Sequence, residues 1–106
     1  MTPMFRYYEI PLSPQPQRFA LVLGGKLRRL RLHYSAAAQG GWLLDISDAA
    51  GAPILAGLPL VAGADMLEQH GYLGLGGELW VDGELPPTAE NLGLETRIVF
   101  VVRDHG

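Results

Sequence analysis

The chain of 106 residues, with a mass of 11.5 kDa, predicts a single domain over residues 1–106, because two domains would each have too small a core. A hydrophobic content of 48% is enough for folding without cross-links, and the absence of cysteine excludes disulfides, thiol catalysis and cysteine-ligated metal sites. A charged fraction of only 18%, a net charge of −3, 14 glycines and 8 prolines indicate a small, turn-rich β domain with more uncharged surface than a solitary monomer needs.

The first predicted elements are a strand and a hairpin. Residues 5–10 read as a strand that stops at Pro11, because proline has no backbone N–H for a sheet. Alternating apolar residues then lead to Gly24-Gly25, a dipeptide typical of a two-residue hairpin turn. The strand that returns from this turn is predicted over residues 27–34.

This returning strand is predicted to have one apolar face and one basic face. The two sets alternate along the chain: Leu30, Leu32 and Tyr34 on one face, Arg29, Arg31 and His33 on the other. Leu27 is out of phase with Leu30, which predicts a β-bulge near Arg28. Tyr34 and Trp42 are both in phase with apolar neighbours, which indicates that both lie in the core.

Short strands and turns continue through the second half of the chain. The predicted elements are a strand through Trp42, Leu44 and Ile46, a turn at 48–51, a strand at 53–60, a helical turn at 64–70, a strand through Leu79 and Val81, and a strand at 96–103. Asp65 and Glu68 are spaced as a capping box for the helical turn, and Gly71 is expected to close it. About seven short strands with at most one helical turn predict an all-β fold, either a small β-sandwich or a barrel.

The glycine-rich segment from Gly74 to Gly77 is not a phosphate-binding loop. A dinucleotide fingerprint would require a third glycine where Leu79 stands, and a strand pattern rather than a helix follows. We therefore interpret these glycines as sites of close backbone approach.

Nothing in the sequence predicts an enzyme, a metal site or a cofactor. The three histidines share no metal-ligand spacing, and none of the three serines lies in a nucleophile elbow. No apolar run approaches the length that spans a bilayer, so no membrane partner is expected.

Charge is divided unevenly along the chain. Residues 1–40 hold six basic residues and one acidic residue, a net of +5, whereas residues 41–106 hold two basic and ten acidic residues, a net of −8. Such asymmetry occurs in head-to-tail assemblies and in nucleic-acid contacts, but two halves that interleave in one sheet would also neutralise each other. The alternative function is a single-stranded nucleic-acid-binding module that uses the basic strand Lys26–Arg31, although the acidic second half does not favour it.

A series of short motifs runs from about residue 10 to about residue 94: Ile10-Pro11-Leu12, Pro16-Gln17-x-Phe19, Leu23-Gly24-Gly25, Trp42-Leu-Leu-Asp45-Ile, Pro59-Leu60-Val61, Gly63-x-Asp65-Met-Leu67, Tyr72-Leu-Gly74, Gly76-Gly77-x-Leu79 and Asn91-Leu92-Gly93. Their order resembles the baseplate plug family of contractile-tailed phages. Residues 96–106 and the basic run at 26–31 carry no motif of that family.

The resemblance implies a non-catalytic structural protein of the virion, located in the tail baseplate at the junction of tail tube and hub. Its implied partners are other baseplate, hub and tail-tube proteins, and its place of synthesis is the cytoplasm of the bacterial host. No catalytic or cofactor-binding residue is carried over.

Several residues are predicted to contact partners. Residues 98–102 are apolar on both faces, which predicts either a central strand or an edge strand completed by another chain, and hence assembly with copies of itself or with a tail protein. The arginines of the basic run are predicted to steer that contact. The candidate interface residues are Lys26, Arg28, Arg29, Arg31, Trp80, Ile98, Phe100 and Val102.

Overall fold

The computed structural model describes residues 4–36, 41–83 and 85–104. Within these ranges the chain forms seven strands in two antiparallel sheets that pack face to face, which confirms the all-β prediction and selects a sandwich-like arrangement. The strands are β1 Met4–Glu9, β2 Gln17–Leu23, β3 Lys26–Ser35, β4 Gly41–Asp48, β5 Pro53–Pro59, β6 Glu78–Asp82 and β7 Arg97–Asp104.

The four-stranded sheet is a meander in the order β2-β3-β4-β5. The predicted hairpin turn is confirmed, since Gly24 and Gly25 both have positive φ, +61° and +83°, as a tight turn of the primed type requires. At the far end of β4, Asp48 Oδ1 accepts hydrogen bonds from the backbone N–H groups of Ala50 and Ala52, which forms the predicted turn before β5.

The three-stranded sheet brings together the two ends of the described chain, in the order β1-β7-β6. Strand β7 is therefore central, and the alternative of an edge strand completed by another chain is wrong for residues 98–102. One face of β7 lies against the other sheet, while the other face has no second layer among the described residues.

The core fills the space between the two sheets. Alternate residues of each strand point inward, as the period-two pattern predicts. The four-stranded sheet contributes Leu30, Leu32, Trp42, Leu44 and Ile46, and the three-stranded sheet contributes Leu79, Val81, Ile98 and Phe100, all at most 5% exposed.

Two details of β3 differ from the sequence predictions. The register between β2 and β3 and between β3 and β4 is unbroken, so the bulge predicted near Arg28 is wrong. Leu27 is instead exposed on the outer face, and Arg28 takes the inward phase at the end of the sheet. Tyr34 is 43% exposed although its phase is inward, because it lies near the C-terminal end of β3, at the margin of the core.

The helical turn lies slightly later in the chain than predicted. It is a 3₁₀ turn at Glu68–Leu73, closed by Gly74 in the left-handed conformation rather than by Gly71. The predicted capping box is not formed, because Asp65 Oδ1 accepts hydrogen bonds from the backbone N–H groups of Leu67 and Leu79, each at 2.9 Å. Asp65 thus ties the segment before the 3₁₀ turn to strand β6.

The glycine-rich segment is a site of close backbone approach, as predicted. A Cβ on Gly24 would meet the carbonyl oxygen of Leu75, and a Cβ on Gly76 would lie 3.1 Å from Gly24 Cα. The tip of the β2–β3 hairpin therefore rests backbone to backbone on this segment.

Candidate partner interface

The outer surface of the four-stranded sheet carries a cluster of arginines, which we call the basic face and define as Arg18, Arg29 and Arg31. Arg18 lies directly opposite Arg31 in the β2–β3 pairing, and Arg29 is two residues from Arg31 on the same face of β3. All three are exposed and line a shallow depression of about 430 Å³ together with Ala20 and Leu27. Charge and apolar surface are combined there, as at many protein contacts.

One carboxylate partly offsets the basic face. Asp45 Oδ2 lies 3.4 Å from Arg31 Nη1, and Asp45 Oδ1 accepts a hydrogen bond of 2.7 Å from the backbone N–H of Gly57. The Arg31 side chain is 53% exposed, so this surface ion pair contributes little to stability. The predicted interleaving of basic and acidic segments thus occurs between β3 and β4. Asp45 alone does not neutralise the three arginines of the basic face.

The predicted basic run divides between two faces. Only Arg29 and Arg31 of the run belong to the basic face, because alternate residues of a strand point to opposite sides. Arg28 points inward and is half-buried, and its Nε has no hydrogen-bond partner among the described residues. Lys26 is exposed beside the hairpin turn.

Arg18 is a residue of this surface that the sequence analysis missed. The signal was available, because a two-residue turn at Gly24-Gly25 fixes the pairing of every residue in the two strands that flank it. That register places Arg18 beside Arg31, and the position could have been read by counting outward from the turn.

The predicted aromatic residues do not form a stacking platform beside the arginines. Trp42 is 2% exposed, and its Nε1–H donates to the carbonyl oxygen of Thr88 at 2.6 Å. Tyr34 packs edge-on against Trp42, with ring centroids 5.2 Å apart, on the side of the sheet opposite the basic face. Single-stranded nucleic-acid sites usually combine a basic groove with exposed rings, and these two rings do not supply them.

The outer surface of the three-stranded sheet is apolar at its centre. We call it the aromatic face and define it as Tyr7, Trp80, Val99 and Val101, which line a shallow cleft of about 300 Å³. Trp80 is half-buried, and its Nε1–H donates to Glu78 Oε1 at 2.9 Å.

Acidic groups surround the aromatic face. The strand register places three carboxylates on this face, those of Glu9, Glu78 and Asp82. Arg97 Nη1 lies 3.3 Å from Glu9 Oε1. Among the side chains that the structure describes, the two outer faces of the sandwich therefore carry opposite charge.

The predicted apolar contact residues of β7 occupy different environments. Ile98 and Phe100 are 2% and 1% exposed and belong to the core, so the proposal that they face a partner is corrected. Val102 is half-buried and lines a cleft of about 530 Å³ that opens between the sheets beside the hairpin tip.

Within residues 4–36, 41–83 and 85–104, no group of three or more His, Asp or Glu side chains is placed to hold a metal ion. No helix of the described part is long and apolar enough to cross a membrane.

Comparison with known proteins identifies one family. The model of the family described as cyanophage baseplate Pam3 plug gp18 matches residues 7–105, nearly the whole chain. No curated protein matches the chain.

Proposed function

The chain belongs to the cyanophage baseplate plug family and is a structural component of a phage tail baseplate; within that role, we propose that it is a non-catalytic part at the junction of tail tube and hub. The observation that carries the baseplate role is the family match over residues 7–105. The finer location is supported by a small fold with two outer faces that no other described residues cover, which suits a part that sits between neighbours.

We further propose that the basic face binds an acidic surface of a neighbouring hub or tube protein. The exposed Leu27 lies next to Arg29 on the same face and lines the same depression as the three arginines, so a partner would gain both charge complementarity and apolar burial. Lys26 is exposed beside the hairpin turn and, like the half-buried Arg28, belongs by register to the opposite side of the sheet. The aromatic face with Trp80 is proposed as a second contact, for a basic surface of a partner.

The test is binding of the purified protein to the hub and tail-tube proteins of the same phage, measured over a salt series. We expect Arg29→Glu to weaken the affinity at least about tenfold, because it places like charges across the contact. Lys26→Glu is the control, since it makes the same charge change at an exposed side chain that belongs to the opposite side of the sheet. Equal affinities of the two variants and the wild type would contradict the role of the basic face.

The same proteins serve to test the nucleic-acid alternative. A shift of labelled single-stranded DNA that is lost steeply as salt rises, and that Arg29→Glu abolishes, would support that alternative instead. Since neither Trp42 nor Tyr34 lies on the basic face, we expect no such shift.

A further inference from the structure

Strand β2 forms an open edge of the four-stranded sheet. It pairs with β3 on one side, and no strand in the described part of the chain pairs with its other side. The two-residue turn is closed by Leu23 and Lys26, which exchange backbone hydrogen bonds, and hydrogen-bonded positions alternate along β2 from there. The backbone N–H and C=O groups of Arg18, Ala20 and Val22 therefore point away from β3, toward the open edge.

The other sheet edges are less suited to accept a further strand. Strand β5 begins at Pro53 and ends at Pro59, and its pairing with β4 is irregular. Strand β6 has only five residues, and β1 carries charges of both signs at Arg6 and Glu9. Prolines, bulges, short length and charge are the means by which proteins protect an edge from pairing. Strand β2 has seven residues, no proline, an unbroken register and a single charged residue, Arg18.

The parts of the sequence that the structure does not describe are too short to cover this edge. The longest of them, residues 37–40, has four residues, whereas β2 has seven. Val22 is 61% exposed, and Arg18 and Ala20 are exposed as well. A strand along the whole of β2 must therefore be supplied by a segment outside these 106 residues.

The side chains of β2 specify the kind of strand that is complementary to it. Arg18 lies on the basic face opposite Arg31, so a neighbouring residue of an added strand on that face would meet positive charge. Phe19 and Leu21 point inward but are only partly buried, because β2 lies at the margin of the core. Residues of an added strand on the inner side would cover them and gain apolar burial. The complementary segment therefore alternates acidic with apolar residues.

Charge argues against a second copy as the occupant of this edge. Antiparallel pairing of β2 with β2 of another copy would join the two basic faces into one surface, because side chains of paired strands keep to the same sides of a sheet. That surface would hold Arg18, Arg29 and Arg31 twice, and Asp45 does not neutralise even one set. Like charges side by side oppose such pairing.

We propose that an extended acidic segment of a neighbouring baseplate protein adds to the open edge of β2, as a fifth strand of the four-stranded sheet. Its backbone exchanges hydrogen bonds with Ala20 and Val22. Its acidic side chains lie beside Arg18, and its apolar side chains cover Phe19 and Leu21. The inference rests on the proposed binding of an acidic partner by the basic face, and it specifies that this partner is held main chain to main chain.

The first experiment measures amide hydrogen exchange by NMR, in the free protein and in its complex with the hub or tail-tube protein. In the free protein we expect the N–H groups of Phe19 and Leu21 to be protected by β3 and those of Ala20 and Val22 to exchange fast. In the complex, exchange at Ala20 and Val22 should slow at least about tenfold. A complex that Arg29→Glu weakens, but in which these two amides exchange as before, would overturn the added strand and leave the proposed contact of the basic face in place.

The second experiment does not depend on the hub or tube protein. Its probe is the synthetic peptide acetyl-Glu-Val-Glu-Val-Glu-Val-Glu-amide, and its control is the same peptide with lysine in place of glutamate. We expect the acidic peptide to bind at concentrations up to millimolar and to slow exchange at Ala20 and Val22, and the basic peptide not to bind. Binding of the acidic peptide without binding of hub or tube would support the open edge and contradict the proposed function. No binding, or equal binding of both peptides, would overturn the proposal.

A proline variant tests the backbone contact directly. Ala20→Pro removes an N–H that points to the open edge, and proline at such a position is compatible with an edge strand. We expect it to weaken binding of the acidic peptide at least about tenfold, because it removes a donor and obstructs the added strand. Ala20→Val is the matched control, since it keeps the N–H and favours a strand. Thermal unfolding, together with slow exchange at Leu21, shows that both variants keep the pairing of β2 with β3. Equal affinities of the two variants would overturn the proposal.

Light scattering of the protein alone tests the competing occupant. We expect the mass to stay at 11.5 kDa, because the arginines oppose pairing of β2 between copies. A doubled mass, with slow exchange at Ala20 and Val22 in the absence of any partner, would show that a second copy fills the edge and would overturn the proposal.

Discussion

At the scale of single residues, the fold depends on a few positions where no side chain fits. Gly77 is such a position, although its φ is not in the left-handed region. A Cβ there would lie 2.6 Å from Phe100 Cζ and 2.7 Å from the carbonyl oxygen of Val101. The backbone oxygen cannot move without disturbing the pairing of β6 with β7, so an added methyl group acts as overpacking.

We expect Gly77→Ala to lower the free energy of unfolding by about 1–3 kcal/mol, the usual cost of overpacking. Gly71→Ala is the matched control, because nothing lies within 4 Å of its Cβ position and its φ is not positive. Urea denaturation of both variants provides the measurement. Equal stabilities for the two would mean that the contact between Gly77 and the Phe100 ring is not as close as described.

At the scale of elements, one carboxylate joins a loop to a strand. Asp65 Oδ1 accepts from Leu67 N–H and Leu79 N–H, and Leu79 in turn is part of the core, 1% exposed. The backbone N–H of Met66 also donates to the carbonyl oxygen of Leu79, at 2.8 Å. Two hydrogen bonds, Leu79 N–H to Asp65 Oδ1 and Met66 N–H to the carbonyl oxygen of Leu79, therefore fix the segment before the 3₁₀ turn to the beginning of β6, and the third orders the segment itself.

Replacing Asp65 by alanine leaves two backbone donors without an acceptor. We expect Asp65→Ala to lower the free energy of unfolding by about 1–3 kcal/mol. Asp65→Asn keeps an oxygen acceptor at the same place and should retain most of the stability. Thermal or urea unfolding distinguishes them, and an equal loss for both variants would show that charge rather than hydrogen bonding holds the loop.

At the scale of the whole molecule, the two tryptophans report on different layers. Trp42 lies in the core between the sheets, whereas Trp80 lies half-buried on the aromatic face. We expect acrylamide to quench the fluorescence of the Trp42→Phe variant, which keeps Trp80, more strongly than that of Trp80→Phe. If the aromatic face contacts baseplate neighbours, their addition should protect Trp80 from the quencher. Unchanged quenching in a complex that has formed would remove Trp80 from the interface.

Local sequence patterns predicted most of the strands and turns. They did not predict which strands pair when these lie far apart in the sequence. The period-two alternation and the Gly24-Gly25 turn predicted β2, β3 and their hairpin, because both depend on neighbouring residues, although the out-of-phase Leu27 wrongly indicated a bulge near Arg28. The pairing of β1 with β7 joins two strands that are far apart in the described chain, and the sequence of neither strand identifies the other as its partner. This pairing made β7 central and placed Ile98 and Phe100 in the core.

The sequence predicted that the candidate interface would include a basic surface, but it did not predict which residues belong to that surface. A run of basic residues indicates a charged surface, yet only alternate residues of a strand share a face, so Arg28 separated from Arg29 and Arg31. Arg18 joined them through the partner strand. The exposure of Tyr34 depends on where the opposite sheet ends, which is a property of packing and not of the residue's own neighbours.

The sheet order also determines when each strand can acquire its partner. Strands β2 to β5 pair with their neighbours in sequence, so that sheet can form as soon as each next segment is available. Strand β1 is synthesised early but pairs only with β7, near the end of the described chain, and closing that loop carries an entropy cost. During translation β1 therefore has unpaired edges until the ribosome has made residues 10–96 and then β7. Arg6 and Glu9 place charges on this waiting strand, which discourages it from pairing with another nascent copy before its own partner emerges.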